Sequence, residues 1–466
     1  MKRTRARSAV PETVGVLTID RMATGGDGVG RLEGLAVFVP RTAPGDVVQV
    51  ALTRHARLGR GRVLQLLTPS PHRVEPRCAH YVADRCGGCQ LQHLDEATQQ
   101  QVRRQVVQET LLRVGRREVP LPTLVSGEAW HYRRRLTLTL VRTGGRWIGG
   151  LHPHDDPVRV FSLDRCLLVE PVIEAAWQGV RALLRRRELS LPDVPRLRLS
   201  IRGSVGDAGG EAVTLILHGG RVWPTASAWG DAAREGVAGL AAVWWHPEGV
   251  ERPDLVWWSG GAQQPEPPSS VAADASDGAV APEGMGAPQA EEAVAFAQVN
   301  APVAAALREA VVDAVRAMAP KHVVDAYAGS GVLAEALVAA DVQVTAIELD
   351  PAGVAALRAR LAGSSAPMAT VVAGRVEEAL PVLAQPAEVL VLNPPRRGVD
   401  PRVCGWLEST AAHAVRRVVY VSCNPATLAR DLTRLPGWRI THVACFDMFP
   451  QTAHVETVCI LDREAP

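Results

Sequence analysis

Several things are scarce in this sequence. No apolar run approaches the ~18 residues that a membrane-crossing helix needs. The N-terminus, MKRTRARSAV, is basic, but no apolar stretch follows it, so it does not read as a secretory signal. Both absences point to the cytoplasm and away from the membrane. Lysine occurs only at Lys2 and Lys321, and arginine carries the rest of the positive charge. Residues 259–292 hold no Lys or Arg at all, only the acids Glu266, Asp274, Asp277, Glu283, Glu291 and Glu292 among Gly, Pro, Ala and Ser. Such a segment cannot bury a core and reads as a disordered linker or insertion.

What is present is globular. The chain has 466 residues, of which 47% are apolar, and that length calls for two or three domains. The net charge of +2 hides a division: residues 1–200 carry 32 Lys+Arg against 19 Asp+Glu, and the remainder carries 19 against 30. A basic front half on an acidic back half suggests that the front half holds a polyanion. Residues 12–68 alternate short apolar runs with Gly and Asp, as a small β-barrel does. The stretch Gly25–Gly30 is turn chemistry, because no strand-then-helix context makes it a phosphate loop. Residues 94–115 read as a helix. Residues 130–258 alternate strand-like runs with one helical stretch near 171–188, an α+β pattern. From 294 to 463, strands and helices alternate as in a doubly wound parallel sheet, with a hairpin-like end. The expected domains are therefore 1–68, 69–258, the linker 259–292, and 293–466.

Five groups of residues carry chemistry. Asp325-Ala-Tyr-Ala-Gly-Ser-Gly331 lies between a strand and a helix, with Glu348 at the end of the next strand. Gly329 and Gly331 let the backbone approach a ligand, and an acid at 348 can hold ribose hydroxyls. The third glycine of the dinucleotide pattern is missing, which suits S-adenosylmethionine, a nucleoside without a pyrophosphate; a generic nucleotide turn is the plainer reading. Asn393-Pro-Pro-Arg-Arg-Gly398 follows another strand, where ligands of open sheets sit. Cys423, in Val421-Ser-Cys-Asn-Pro-Ala-Thr-Leu-Ala-Arg-Asp431, stands before a helix, a place that lowers a thiol pKa and makes a nucleophile. Cys404, Cys445 and Cys459 read as buried thiols. Glu456, in Asp447-Met-Phe-Pro-Gln-Thr-Ala-His-Val-Glu456, can serve as a base. Cys78, Cys86 and Cys89, spaced C-x7-C-x2-C, with the distant Cys166, make a set of four thiolates suited to an Fe–S cluster or to zinc; the spacing does not choose.

Together these motifs resemble the RNA uracil-C5 methyltransferase family, which makes 5-methyluridine in tRNA and large-subunit rRNA. SCNPATLARDL and DMFPQTAHVE are the most specific parts, and the resemblance covers most of the chain outside 259–292. It implies a Rossmann-like S-adenosylmethionine-dependent domain, with Cys423 as nucleophile and Glu456 as the base that removes the carbon 5 proton. It implies cofactor contacts from Gln298, in the Ala297-Gln-Val-Asn300 stretch, and from Tyr327, Gly329, Gly331, Glu348 and Asn393. It also implies a 4Fe-4S cluster on Cys78, Cys86, Cys89 and Cys166, and a TRAM-type RNA-binding barrel at the N-terminus. Within the family that barrel favours large-subunit rRNA over tRNA as the substrate, and a monomer is expected. Asn393 stands where the family usually has Asp, and an Asn cannot act as a base. Two other readings compete: methylation of an exocyclic amine, prompted by Asn393-Pro-Pro, and an RNA-binding or ribosome-assembly factor without turnover.

Overall fold

The computed structural model describes residues 13–186, 188–205, 211–250, 253–259, 298–363 and 368–464. The acidic segment, save Ser259, lies outside the described residues. Two compact units are formed: residues 1–129 with 300–466, and residues 130–299. This differs from the expected division, which gave residues 69–129 to the central domain. None of the described helices is long and apolar enough to cross a membrane.

The first unit opens with strands β1 (Thr13–Met22), β2 (Asp27–Leu32), β3 (Leu35–Pro40), β4 (Val47–His55) and β5 (Leu58–Thr68). They close into a barrel in the order β1-β2-β3-β5-β4. Alternation does this: Leu17, Ile19, Val37, Val39, Val48, Val50 and Leu52 all point inward and are buried. A short helix, α1 (Ala79–Ala83), and the cysteine loop follow. Helix α2 (Glu96–Arg113) starts at Asp95, whose carboxylate accepts the Thr98 N–H at 2.7 Å. Its apolar stripe includes Val107 and Leu111, which share one core with Tyr420, Leu428 and Trp438. That sharing is why residues 96–125 belong to the C-terminal sheet. Strand β6 (Thr123–Val125) even joins that sheet as its edge.

The second unit contains β7 (Arg135–Thr143), β8 (Arg146–Leu151), β9 (Phe161–Ser162), α3 (Pro171–Leu183), β10 (Arg196–Val205), β11 (Glu211–His218), α4 (Ala226–Gly236), β12 (Leu240–His246) and β13 (Asp254–Trp258). Its sheet runs β13-β12-β11-β10-β7-β8-β9. Leu136, Leu138 and Leu140 on β7 and Leu197, Leu199 and Ile201 on β10 are buried on one face, with Trp177 of α3 fully buried among the apolar residues of this unit. Helix α4 was not expected; its Ala-rich run is interrupted by Gly230, which sits against Trp257.

Residues 300–466 supply α5 (Ala301–Arg316), β14 (Val323–Ala326), α6 (Val332–Ala339), β15 (Val344–Glu348), α7 (Pro351–Leu361), β16 (Ala369–Ala373), α8 (Val376–Ala379), β17 (Val389–Leu392), α9 (Pro401–Leu407), β18 (Arg417–Ser422), α10 (Pro425–Leu432), β19 (Trp438–Phe446) and β20 (Glu456–Arg463). The sheet order is β16-β15-β14-β17-β18-β20-β19-β6. Strands β14 to β18 are parallel, and the β19–β20 hairpin closes the far side antiparallel. Every residue of β14 and β17 is buried, as central strands covered on both faces require. Strand order reverses between β14 and β17, so a crevice opens at their carboxyl ends.

Candidate active site

The crevice begins where β14 ends. Tyr327 takes φ +63°, a left-handed conformation that costs a non-glycine residue energy and marks a constrained turn. Gly331 takes φ +81° as the cap of α6, and a Cβ there would lie 2.3 Å from Leu357 Cδ1, so no larger residue fits. Glu348, at the end of β15, braces the turn: its Oε2 accepts the Gly329 N–H at 2.8 Å, and its Oε1 accepts the N–H groups of Leu349 and Asp350. Beneath the turn, Asp325 is 1% exposed, and neither carboxylate oxygen has a well-formed hydrogen bond. Burial first, then repulsion from Glu348, pushes its pKa up to about 7, offset only by the nearby Ala334 N–H. Burial likewise pushes the half-buried Tyr327 hydroxyl up to about 12. A buried acid beside a second acid under a glycine turn is a place that a cationic ligand relieves. The sulfonium and amine of S-adenosylmethionine are such cations, so these residues fit that cofactor.

The β17 exit lies alongside. The Asn393 N–H donates to Ala326 O at 3.2 Å, so the two strand ends are tied, and the Asn393 side chain is exposed. The loop after it is fixed by α10. Arg430 donates to Arg397 O at 2.7 Å, and Asn424 Nδ2 donates to Arg396 O at 3.4 Å. Buried Asp431 accepts from the Val399 N–H and the Tyr420 hydroxyl, and a Cβ on Gly398, at φ +80°, would meet its Oδ2 at 2.3 Å. These bonds tie the loop to α10, and Arg396 is carried on it.

Cys423 follows β18, one residue before Asn424, which caps α10 by accepting the Ala426 N–H. Strand β18 pairs antiparallel with β20 in the register Ser422↔Thr457. Cys423 follows the last paired residue of β18 and Glu456 precedes that of β20, and the Glu456 charge acts on the thiol. Arg396 lies against both: its guanidinium favours the Cys423 thiolate and the Glu456 carboxylate. Glu456 is 7% exposed, and burial pushes its pKa up to about 7 despite Arg396. The Cys423 thiol is not lowered, as its place before a helix suggested. Burial and the Glu456 charge push it up, and Arg396 offsets them only in part. The helix N-terminus is outweighed because the thiol is half-buried beside an acid. Arg396 was missed as a site residue; the available signal was a basic side chain in the loop leaving the strand next to that of the thiol.

Among the described residues no group of three or more His, Cys, Asp or Glu side chains forms a metal site. Cys78, Cys86 and Cys89 belong to the first unit and Cys166 to the second, as does the half-buried Gln298. Cys404, Cys445 and Cys459 are buried as expected. In the second unit, one sheet face carries a cationic stripe that charge counting alone did not locate. Arg202 stands opposite Arg135, Arg198 opposite His218, and His218 opposite His246 with the rings 5.4 Å apart. Burial and the neighbouring arginines pull His218 down to about 4 and Arg202 to about 10.

Comparison with known proteins places this geometry. The family described as tRNA (uracil-5-)-methyltransferase matches residues 383–464. An RNA methyltransferase of Thermosynechococcus vestitus is 31% identical over 460 residues, spanning 96% of this chain and 97% of its own. The 23S rRNA (uracil(1939)-C(5))-methyltransferase RlmD of Thiobacillus denitrificans is 30% identical over 470 residues, spanning 97% and 99%. Among solved structures, the Pyrococcus abyssi tRNA (uracil-54, C5)-methyltransferase with S-adenosyl-L-homocysteine aligns with a TM-score of 0.66 at 21% identity, covering 96% of this chain and 99% of that one. At that identity the last likeness shows the fold.

Proposed function

The chain belongs to the RNA uracil-C5 methyltransferase family of S-adenosylmethionine-dependent enzymes, and from that premise we propose that it methylates carbon 5 of a uridine in 23S rRNA through a covalent adduct on Cys423. The observation that carries the mechanism is that the Glu456 charge acts on Cys423 and the Arg396 charge acts on both, at the adjoining ends of β18 and β20.

Carbon 5 of uracil is a weak nucleophile. The Cys423 thiolate adds to carbon 6, and the ring becomes an enolate with charge on carbon 5. Carbon 5 takes the methyl group, releasing S-adenosylhomocysteine. The ionised Glu456 removes the carbon 5 proton, carbon 6 expels the thiolate, and the aromatic ring returns. Arg396 stabilises the thiolate at the start and the end. The cofactor supplies the methyl group; Gly329, Gly331 and Tyr327 shape its turn, Asp325 and Glu348 supply negative charge, and Asn393 faces it from β17 with a donor and an acceptor. Asn393 takes no proton in this scheme, so the change from Asp leaves the base in place. This is why amine methylation, which needs no thiol, and a factor without turnover are weaker readings.

The target base must leave its stack, which costs least in an unpaired loop. The cationic stripe of Arg135, Arg198 and Arg202 holds backbone phosphates in this reading. Support for 23S rRNA comes from the relative that bears that name. A tRNA substrate is the second reading, because the tRNA enzyme aligns over 96% of this chain, so the barrel does not separate the two. A cluster on Cys78, Cys86, Cys89 and Cys166 belongs to the same reading but not to the reaction; iron and acid-labile sulfide in anaerobically purified protein decide it. The test of function is incubation with labelled S-adenosylmethionine and either unmodified 23S rRNA or tRNA, with products mapped by nucleoside mass spectrometry. 5-Methyluridine in rRNA alone is expected and is lost in Cys423→Ala. Product in tRNA alone would overturn the substrate assignment, and full activity of Cys423→Ala would overturn the mechanism.

A further inference from the structure

Glu456 is the first residue of β20, and residues 447–455 connect it to β19. That connection contributes little to its own rigidity. Thr452 bonds back to Phe449 O, and Gln451 sits at φ +67°, where a residue other than glycine needs outside support.

The support comes from residues 90–103, more than 340 positions earlier in the chain. The Gln90 and Leu91 N–H groups both donate to Gln451 O, at 3.2 and 3.0 Å. Gln99 of α2 takes hold of the Gln451 residue twice: its Nε2 donates to Gln451 Oε1 at 3.0 Å, and its Oε1 accepts the Gln451 N–H at 3.2 Å. Arg103 donates to Thr452 O at 2.9 Å and pairs with Asp447 at 3.2 Å. Gln90 Oε1 accepts the Ala453 N–H. Gln99, Arg103, Asp447, Gln451 and Thr452 are each no more than 4% exposed, so water does not replace these bonds. The barrel reaches the same loop. A Cβ on Gly26, at φ +83°, would lie 2.8 Å from Ala453 Cβ, so the glycine turn at 25–26 packs on it closely.

We propose that Gln99, with Arg103 and Gln90, is the positioning device for the general base, so that proton removal from carbon 5 depends on the N-terminal segment. Gln99 touches neither substrate nor cofactor in this role and acts through the Gln451 backbone. The proposal rests on Glu456 being the base, and the reaction order supplies a specific signature. Thiolate addition and methyl transfer precede the base step. A displaced base therefore lets the methylated RNA–protein adduct form and slows its breakdown, whereas a damaged fold loses the adduct as well.

The test compares wild type, Gln99→Leu, Gln90→Ala and Glu456→Gln in the full chain, with an RNA substrate established by product mapping and labelled S-adenosylmethionine. Adduct is read on denaturing gels, and methyl transfer is read in single turnover. Loss of the paired Gln99 bonds is expected to slow elimination about tenfold, the equivalent of ~1.4 kcal/mol. The adduct should then accumulate, with methyl transfer reduced less than about threefold, and kcat and KM for RNA lowered together, because elimination follows the methyl-transfer step. Gln90→Ala should do the same more weakly, and it decides the matter if Gln99→Leu does not fold. Parallel loss of adduct and methyl transfer, or wild-type turnover in both variants, would overturn the proposal. Absence of adduct in Glu456→Gln would instead count against Glu456 as the base, a distinguishable failure.

Discussion

Replacing Glu456 by Gln should change stability with pH in a way that few surface substitutions would. The carboxyl lies at the start of β20 with 7% exposure, and Arg396 is the opposite charge acting on it. Burial raises its pKa from 4.5 to about 7 in the folded protein. The native state thus holds this proton more tightly than the unfolded chain. The stabilising contribution is complete below about pH 4.5 and is lost as pH rises through about 7. The size of that loss is about 3 kcal/mol. Gln has nearly the same shape and never ionises, so the variant escapes the loss. The stability of Glu456→Gln relative to wild type should therefore grow by up to about 3 kcal/mol between about pH 4.5 and pH 8. Hydrogen exchange of the β18 and β20 amides, read by peptide mass spectrometry at both pH values, reports the opening free energy of this part of the sheet. Comparing the two proteins at each pH cancels the other titrating groups. A difference that stays constant with pH would show that Glu456 ionises normally in the fold, and the claim that burial poises it as a base near neutrality would fall.

Arg396→Ala should raise the Cys423 pKa further and shift the ascending limb of the pH profile of single-turnover methyl transfer to higher pH, with Arg396→Lys restoring part of the shift; an unchanged profile would remove Arg396 from the site. Arg198→Ala should weaken RNA binding and lower the slope of log K against log salt by about 1, because one phosphate contact is lost. An unchanged slope would take the stripe out of the RNA interface. Gly331→Ala places a Cβ 2.3 Å from Leu357 Cδ1 at a φ of +81°, so S-adenosylmethionine affinity measured by calorimetry should fall at least about tenfold, the equivalent of ~1.4 kcal/mol.

The strands of the C-terminal sheet were legible because they are short, mostly apolar and punctuated. The alternation read from 294 to 463 is met by strands such as Ala369–Ala373 and Arg417–Ser422. Cys423 and Glu456 were legible as chemistry because each stands at a strand end. That the two ends adjoin was not, since the register of β18 on β20 follows from packing on both faces of the sheet. Helix α2 shows the limit more sharply. Residues 94–115 read as a helix, but the buried Val102, Val106, Val107 and Leu111 share its packed side with the polar Gln99 and Arg103, so the sequence pattern does not name the partner of that side. The thiol of Cys423 was misread in direction for a related reason. A helix N-terminus is a local feature visible in sequence, while burial and an acid from another strand are not.

These gaps share a cause that bears on how the enzyme is built. A base that must be nearly dry to reach a pKa of about 7 cannot be carried by a loop that moves freely. Burial of Glu456 requires that residues 447–455 stay in place, and the chain supplies the holding groups from a segment folded long before in sequence. Gln99 and Arg103 are buried polar side chains, costly unless fully bonded, and their partners are the backbone and Asp447 of that loop. The polar pattern that hid α2 as a core helix is therefore the same pattern that makes it a clamp. A helix made wholly apolar on this face would leave the Gln451 N–H and the Thr452 carbonyl without the partners that Gln99 and Arg103 supply.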